Sequence, residues 1–191
     1  LATNGRDNPL AELTPLAEAV TGSPTDHHHA ARPFPTRAHW LYSQTGLGQP
    51  SLNCPAYDEW RELVNPEQAT LVFASDYLNS PSSMFGHTFL RLDAPGQTED
   101  TRLLAYAINF AAETNTKNPF VFAFKGLTGG YPGLFSLMPY YEKVKEYSDM
   151  ENRDLWEYQL SLTPDQVHLL ISHLWELRSV GFPNYFSTRT C

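Results

Sequence analysis

The chain has 191 residues, of which 41% are apolar and 18% charged, and its formal net charge is −8. This length predicts one domain, or one domain with an arm, and the composition excludes global disorder. A net negative charge without a local basic patch argues against a nucleic-acid partner, and no apolar run approaches the roughly 20 residues that a membrane helix needs.

The first part of the chain is polar and contains several prolines. Residues 1–35 are predicted to form an arm with one short helix at Leu10–Val20, and the histidines of residues 27–29 are placed in a solvated loop. Residues 36–64 are predicted to be helical in pieces, with an apolar face made of Trp40, Leu41, Tyr57, Trp60 and Leu63. The domain itself is therefore predicted to occupy residues 36–191.

The middle of the chain carries short apolar or alternating segments that are typical of strands. Residues 120–124 read as a strand or a short helix, and residues 126–133 as a glycine-rich turn. The predicted strands are residues 69–74, 88–92, 103–110 and 156–160, with the third antiparallel to the second.

The clearest predicted element is a helix over residues 164–179. Thr163 is its N-cap, Pro164 takes the first helical position, and Gln166 closes a capping box. Helices, then a series of strands, then a helix predict an α+β fold with a mostly antiparallel sheet. The apolar stripe of the helix consists of Val167, Leu170, Ile171, Leu174 and Trp175.

A serine- and proline-rich loop leads through Gly86 to His87, where a strand begins. Glycine permits a backbone geometry or a close approach that other residues do not. A histidine at the start of a strand, beside a loop, suits a general base. A hydrogen-bonded structural histidine fits the same position, so both interpretations stay open.

Other chemical signals are weaker. The two cysteines, Cys54 and Cys191, exclude a Cys-rich zinc site, and they form either one disulfide or two separate thiols. Cys191 acts as a nucleophile only if the fold supplies a base such as His87. His168, expected to be exposed, and His173, expected at the edge of the core, are spaced poorly for chelation. No metal and no cofactor are predicted.

Three segments together point to a family. The run from Thr70 to Asp93, with Ser80-Pro-Ser-Ser-Met-Phe-Gly-His87 at its centre, resembles the Lnb N-terminal periplasmic domain family. So do Leu104-Ala-Tyr-Ala-Ile-Asn-Phe110 and the stretch over residues 124–147, and the resemblance covers about residues 36–191. Named bacterial relatives are lipoprotein intramolecular transacylases. The resemblance implies a periplasmic or otherwise extracytoplasmic, envelope-associated domain with a circularly permuted, papain-like (NlpC-like) core.

The resemblance also implies a site. His87 matches the family histidine and Cys191 the family cysteine, while Asn109 is the expected third, orienting member of the catalytic set and Tyr106 its reserve. The expected substrate contacts are Ser83, Tyr106, Lys125 and Tyr131, and the aromatic stretches of residues 120–124 and 131–141 line an acyl groove or form ordinary core.

The first functional hypothesis is a thiol-dependent acyltransferase or hydrolase acting on an acylated lipid, lipoprotein or peptide-like substrate, near a membrane but without a span in this chain. The second is a non-catalytic periplasmic binding module, or an inactive fragment, that uses the same cleft; the ending Arg189-Thr190-Cys191 favours it. A metal-dependent hydrolase is the third, and the spacing of the histidines argues against it.

Overall fold

The structure, a computed structural model, describes residues 4, 7–22, 29, 31–48, 54–77, 86–114, 116, 118–178 and 182–184, the last three by their backbone alone. The chain divides into two compact units. One comprises Leu1–Leu63 with His168–Leu177, and the other Val64–Val167 with Arg178–Cys191. The predicted boundary between an arm and a domain at residue 35 stays a prediction.

The first unit is helical. Its helices are α1 (Leu10–Val20), α2 (Pro35–Thr45), α3 (Pro55–Val64) and the part of α6 (Pro164–Leu177) from His168 onward. The predicted helix at Leu10–Val20 is thereby confirmed. The buried core of this unit consists of Leu16, Val20, Ala31, Ala38, Leu41 and Tyr42.

Two expectations for this unit are wrong. Trp40 and Leu63 do not belong to the apolar face, since they are 49% and 60% exposed. Leu41 is buried as predicted, and Tyr42 beside it turns inward as well. His29 is buried rather than solvated, and its Nδ1 accepts a hydrogen bond from the backbone N–H of Ala31.

The second unit is built on one antiparallel sheet. Its strand order is β5-β1-β2-β3-β4-β6, and every neighbouring pair is antiparallel. The predicted α+β class with a mostly antiparallel sheet is confirmed; the permuted papain-like connection stays a prediction. The strands are β1 (Gln68–Ala74), β2 (His87–Asp93), β3 (Tyr106–Ala112), β4 (Tyr131–Pro139), β5 (Leu155–Gln159) and β6 (Phe182–Asn184).

Helical turns replace parts of two predicted elements. Arg102–Leu104 is a 3-10 turn, so β3 begins later than predicted, after a strongly exposed Leu104. Residues 126–128, which were predicted to start a turn, are the end of a helix, α4 (Pro119–Thr128). Only residues 129 and 130 connect this helix to the next strand as a turn. Asn118 caps the start of α4 by accepting hydrogen bonds from the N–H groups of residues 120 and 121. Of the two alternatives predicted for residues 120–124, the helix is therefore the correct one.

One face of the sheet is covered by α5 (Tyr140–Val144), which continues as a π-helical segment, Lys145–Met150. The core between them consists of Val72, Ala74, Phe89, Ala105, Ala107, Tyr140 and Tyr147.

Helix α6 largely follows its prediction. Its capping box forms, with Thr163 and Gln166 bonding each other's backbone N–H groups. Leu170 is only half-buried, while the other four residues of the predicted stripe are buried. His168 is exposed as expected, and His173 is exposed as well rather than at the edge of the core.

Candidate functional site

Gly86 directs the chain into β2 and sets the position of His87. Its φ is +86°, a left-handed value that favours glycine. A Cβ on Gly86 would lie 2.5 Å from the ring of Phe73 and 2.8 Å from the carbonyl oxygen of Ala74. The expectation that this position needs glycine is confirmed, for both backbone geometry and close packing.

His87 and Asn109 form the centre of the site. Nε2 of His87 and Oδ1 of Asn109 lie 2.5 Å apart in a hydrogen bond between β2 and β3. Since Leu90 faces Ile108 across these strands, the two side chains are diagonal neighbours on one sheet face. Asn109 is only 4% exposed, which fixes its amide in place.

The chemistry of that hydrogen bond selects one tautomer of the histidine. An amide oxygen only accepts, so Nε2 of His87 donates its proton to Oδ1 of Asn109. In a neutral imidazole the other nitrogen, Nδ1, then carries a lone pair. This arrangement can take a proton from a thiol, hydroxyl or water placed beside Nδ1.

Aromatic rings and buried charge surround the imidazole. The ring of His87 lies 6.1 Å from that of Tyr147 and 6.4 Å from that of Phe89. Burial lowers the pKa of His87 and the hydrogen bond to Asn109 raises it. The positive charges of Lys143 and Arg153 lower the pKa further, and the negative charge of Glu146 raises it. The net direction is downward, so the imidazole is neutral at neutral pH, as a general base requires.

Lys143 and Arg153 are a buried cationic pair around Tyr147, and each is bound to a carboxylate, that of Glu146 or Glu151 respectively. The Nζ of Lys143 lies 5.0 Å, and the guanidinium carbon of Arg153 4.6 Å, from the centre of the Tyr147 ring. Arg153 also donates hydrogen bonds to the carbonyl oxygens of Ala74 and Ser75 at the end of β1. Because Ala74 pairs with His87 in the sheet, this arginine holds the strand end that flanks the histidine.

This cationic pair was missed from the sequence. The charged stretch after Tyr141 mixes both signs and suggests a solvated surface, whereas Lys143 is 5% and Arg153 4% exposed. The available signal was helical spacing, since Tyr140, Lys143 and Tyr147 recur at intervals of three and four residues and share one helix face. Nothing comparable marks Arg153, whose burial depends on carbonyl groups distant in sequence.

The model of the Lnb N-terminal periplasmic domain family matches residues 56–191, which is most of the chain. The chain belongs to this family. The searches for similar curated proteins and similar solved structures returned no significant match. Family membership confirms the resemblance stated above and, through the family's description, the expected periplasmic location. His87 and Asn109 both lie inside the matched residues.

The other predicted site residues of this Lnb N-terminal domain lie on different elements or outside the described residues. Tyr106 pairs with Leu92, at the end of β2 far from His87. Lys125 lies on α4 with its Nζ 5.4 Å from the centre of the Tyr131 ring, and Tyr131 is 1% exposed at the start of β4. Ser83 and Cys191 lie outside the described residues, so the placement of the cysteine and any pairing with the half-buried Cys54 stay predictions.

A separate cavity of about 420 Å³ lies in the same unit of the domain. Of its charged groups, Arg102 and Glu157 bind each other, while Arg153 binds Glu151 outside the lining. Because this cavity has no histidine or cysteine among the described residues of its lining, His87 with Asn109 stays the candidate site for acid–base chemistry. The cavity is lined by Arg102, Leu103, Tyr140, Val144, Ser148, Arg153, Asp154, Leu155, Trp156 and Glu157.

In the described part of the chain, no group of three or more His, Cys, Asp or Glu side chains is arranged to hold a metal ion. Among the same residues, no helix combines the length and the apolar character needed to cross a membrane.

Proposed function

We propose that this domain catalyses thiol-dependent acyl transfer or hydrolysis on an acylated lipid, lipoprotein or peptide-like substrate. His87 serves as general base and acid, Asn109 positions the imidazole, and Cys191 supplies the thiol, by correspondence with the family cysteine. The observation that carries the proposal is the hydrogen bond between Nε2 of His87 and Oδ1 of Asn109, which directs Nδ1 of His87 toward proton transfer.

The chemistry requires two displacements at one carbonyl carbon. Nδ1 of His87 takes the proton of the Cys191 thiol, and the thiolate attacks the ester or amide carbonyl to form a tetrahedral intermediate. The bond to the leaving oxygen or nitrogen then breaks, and the imidazolium returns the proton to that leaving group. A thioester remains on Cys191.

The second displacement regenerates the enzyme. Water, or an acceptor amine or hydroxyl, attacks the thioester carbonyl while His87 takes its proton. The carbon–sulfur bond breaks, the acid or the acylated acceptor leaves, and the proton returns to the sulfur of Cys191. Water gives hydrolysis and an amine or hydroxyl gives acyl transfer, so the same residues support both reactions.

The surroundings of His87 support this role in two ways. The rings of Phe89 and Tyr147 keep water from one side of the imidazole, which strengthens charge interactions there. Lys143 and Arg153 are bound to Glu146 and Glu151, and the positive potential that these carboxylates leave favours a thiolate over a thiol.

The decisive experiment measures how fast Cys191 reacts with iodoacetamide across pH. A Cys54→Ser background leaves one thiol, and peptide mass spectrometry after pulse labelling reports its rate. We expect fast labelling near neutral pH, and a slowing of about tenfold or more in His87→Ala, since loss of the base removes roughly a pKa unit or more of thiolate stabilisation. His168→Ala, an exposed histidine, is the matched control and should label like the parent.

A labelling rate that is indifferent to His87 would overturn the proposal. The same result would favour the alternative, a non-catalytic periplasmic module that binds its partner through this cleft. Release of fatty acid from an acylated lipid, lost in both Cys191→Ala and His87→Ala, would separate the enzyme from the binding module directly.

A further inference from the structure

Strand β5 lies at one edge of the sheet. It is the first strand in the order β5-β1-β2-β3-β4-β6, and within the described residues it pairs with β1 alone. An edge strand presents backbone N–H and C=O groups on its outer side, and these groups pair readily with a strand of another chain. Five residues of β5 are available for such pairing.

The register of β5 on β1 shows which of its backbone groups point outward. The C=O of Asp154, just before the strand, and the N–H of Leu160, just after it, are both hydrogen-bonded to the β1 side. In an antiparallel pair, residues bonded to the partner alternate with residues whose N–H and C=O point away from it. Leu155 and Glu157 therefore direct their backbone groups toward the open edge.

The same two residues line the cavity of about 420 Å³. Leu155 packs against the core beneath α5, and Glu157 accepts a hydrogen bond from the hydroxyl of Tyr140 on that helix. Both side chains thus lie on the sheet face that α5 covers. A strand added beside β5 would place every second side chain over this face and its cavity, whose volume falls within the range of ligand pockets, about 300–1,000 Å³.

The cavity belongs to an acidic part of the domain. The segments that contain its lining, residues 99–103 and 140–157, have eight carboxylates and four basic side chains. The fourth basic side chain, that of Lys145, is exposed and outside the lining, and Asp154, inside the lining, is exposed and has no ion pair with any described residue. Electrostatic complementarity therefore favours a cationic group in the cavity. Three of the basic side chains already bind carboxylates of these segments, namely those of Arg102, Lys143 and Arg153.

Two aromatic side chains extend the surface of β5. Trp156 is 56% and Tyr158 55% exposed, and they alternate along the strand with Leu155 and Glu157. Strands that only shield an edge usually carry lysine or proline, whereas tryptophan and tyrosine are enriched where proteins bind each other. A strand paired with β5 would bring its own side chains into contact with both rings.

We propose that β5 binds an extended polypeptide segment of a partner protein, which adds a strand to the sheet and places a lysine or arginine side chain in the cavity. Only an extended backbone pairs with the outward groups of Leu155 and Glu157 together. The carboxylate of Asp154 is the available partner for the cation. A second copy of this chain is a poorer occupant, because pairing β5 with itself would bring two copies of the same acidic segment together, and like charges repel.

The proposed binding site and His87 belong to the same end of the sheet. Ala74 of β1 pairs with Leu155 on one side and with His87 on the other. With neighbouring strands about 4.8 Å apart, the bound backbone would run roughly 14 Å from that of β2. Retention of a polypeptide substrate near His87 rests on the proposed function, whereas strand binding at β5 does not.

The test is an NMR titration of the isotope-labelled full chain with synthetic peptides. The probe is a short peptide that alternates valine with threonine around one central lysine, and its matched peptide has glutamate in place of lysine. We expect the lysine peptide to bind at least about fivefold more tightly, because the cavity attracts an ammonium group and repels a carboxylate. Asp154→Asn should reduce this preference, while Glu113→Gln, which removes an exposed carboxylate after β3, should keep it.

Backbone pairing has a signature that side-chain binding lacks. The lysine peptide should slow hydrogen exchange at the amides of Leu155 and Glu157 at least about tenfold, whereas the amides of Trp156 and Tyr158 are already protected by β1. Because peptide amides also alternate, N-methylation of one alternate set should abolish binding and N-methylation of the other set should weaken it far less. This comparison leaves the protein itself unchanged.

Three results would overturn the proposal: unshifted amides of Leu155 and Glu157 with the lysine peptide, equal binding of the two peptides, or equal effects of the two N-methylated sets. Protection of these amides that rises with the concentration of the chain alone would assign the edge to a second copy and overturn it as well. Labelling of Cys191 requires no peptide, so failure of strand binding and failure of the proposed chemistry are distinguishable.

Discussion

Asn109 accepts a hydrogen bond of 2.5 Å from Nε2 of His87, joining the middle of β3 to the first residue of β2. The pair lies on the sheet face that α5 covers, and Asn109 is almost fully buried. Because the amide oxygen fixes the proton on Nε2, the nitrogen that takes the proton in the proposed reaction is Nδ1. In that reaction Asn109 would be a positioning residue whose effect is exerted through His87.

The first prediction concerns this positioning. Asn109→Ala should slow the His87-dependent reaction of Cys191 about tenfold to a hundredfold, because a histidine without its partner populates unproductive tautomers and orientations. Asn109→Asp should shift the acidic limb of the pH–rate profile to higher pH, since a carboxylate raises the pKa of the neighbouring imidazole. Pulse labelling across pH measures both effects, and superimposable profiles for all three proteins would contradict the assignment.

The second prediction concerns the buried guanidinium of Arg153. Arg153→Met should lower the free energy of unfolding by about 2–4 kcal/mol, because carbonyl groups of Ala74 and Ser75 lose a charged donor in a buried setting. Urea denaturation measures the change. Arg102→Met is the matched control: this arginine is 41% exposed, and its loss should lower stability by only about 1 kcal/mol or less. Equal effects would mean that Arg153 does not anchor the strand end.

Local signals were enough to predict much of the fold from sequence. The capping box of Thr163 and Gln166 and the alternating strand around Phe89 are encoded within a few residues and form as expected. The 3-10 turn before β3 was missed, because Leu103 and Leu104 are apolar and the pattern alone does not distinguish a buried leucine from an exposed one.

The candidate site, too, could be predicted from the sequence only in part. Asn109 was selected from strand order, and the register of β2 and β3 does bring it to His87. Tyr106, the reserve, was excluded by the same register, as it lies three residues away at the far end of the strand pair. The burial of Arg153 was beyond reach, since it depends on carbonyl groups of Ala74 and Ser75 that are far away in sequence, whereas Lys143 shares a helix face with Tyr147 and could have been found.

The third prediction concerns Gly86. Gly86→Ala should lower the free energy of unfolding by about 2 kcal/mol or more, because the new Cβ meets Phe73 and Ala74 while the backbone is held at positive φ. Gly96→Ala is the matched control. Gly96 has φ of +72°, but a Cβ added there would have no other atom within 4 Å, so that substitution carries the backbone strain alone. Thermal or urea unfolding that gives equal losses would mean that crowding at Gly86 is unimportant.

The last prediction concerns pH and the stability of the fold. The pKa of His87 is lowered from 6.5, mainly by burial, so the unfolded chain takes up a proton there more readily than the folded one. The contribution of His87 to the free energy of unfolding is therefore complete above pH 6.5, and it is lost as the pH falls from 6.5 through the lower pKa of the folded state. His87→Gln keeps a donor for Asn109 but does not titrate, so its free energy of unfolding should fall less over this range.

Urea denaturation between neutral pH and about pH 5 measures this difference and avoids the range in which carboxylates titrate. His168→Gln, which removes an exposed histidine, should follow the parent. If His87→Gln loses stability in parallel with the parent, the imidazole of His87 is not held neutral by the fold. Its assignment as a general base at neutral pH would then lose its electrostatic support, because a histidine that is already protonated cannot take the proton of a thiol.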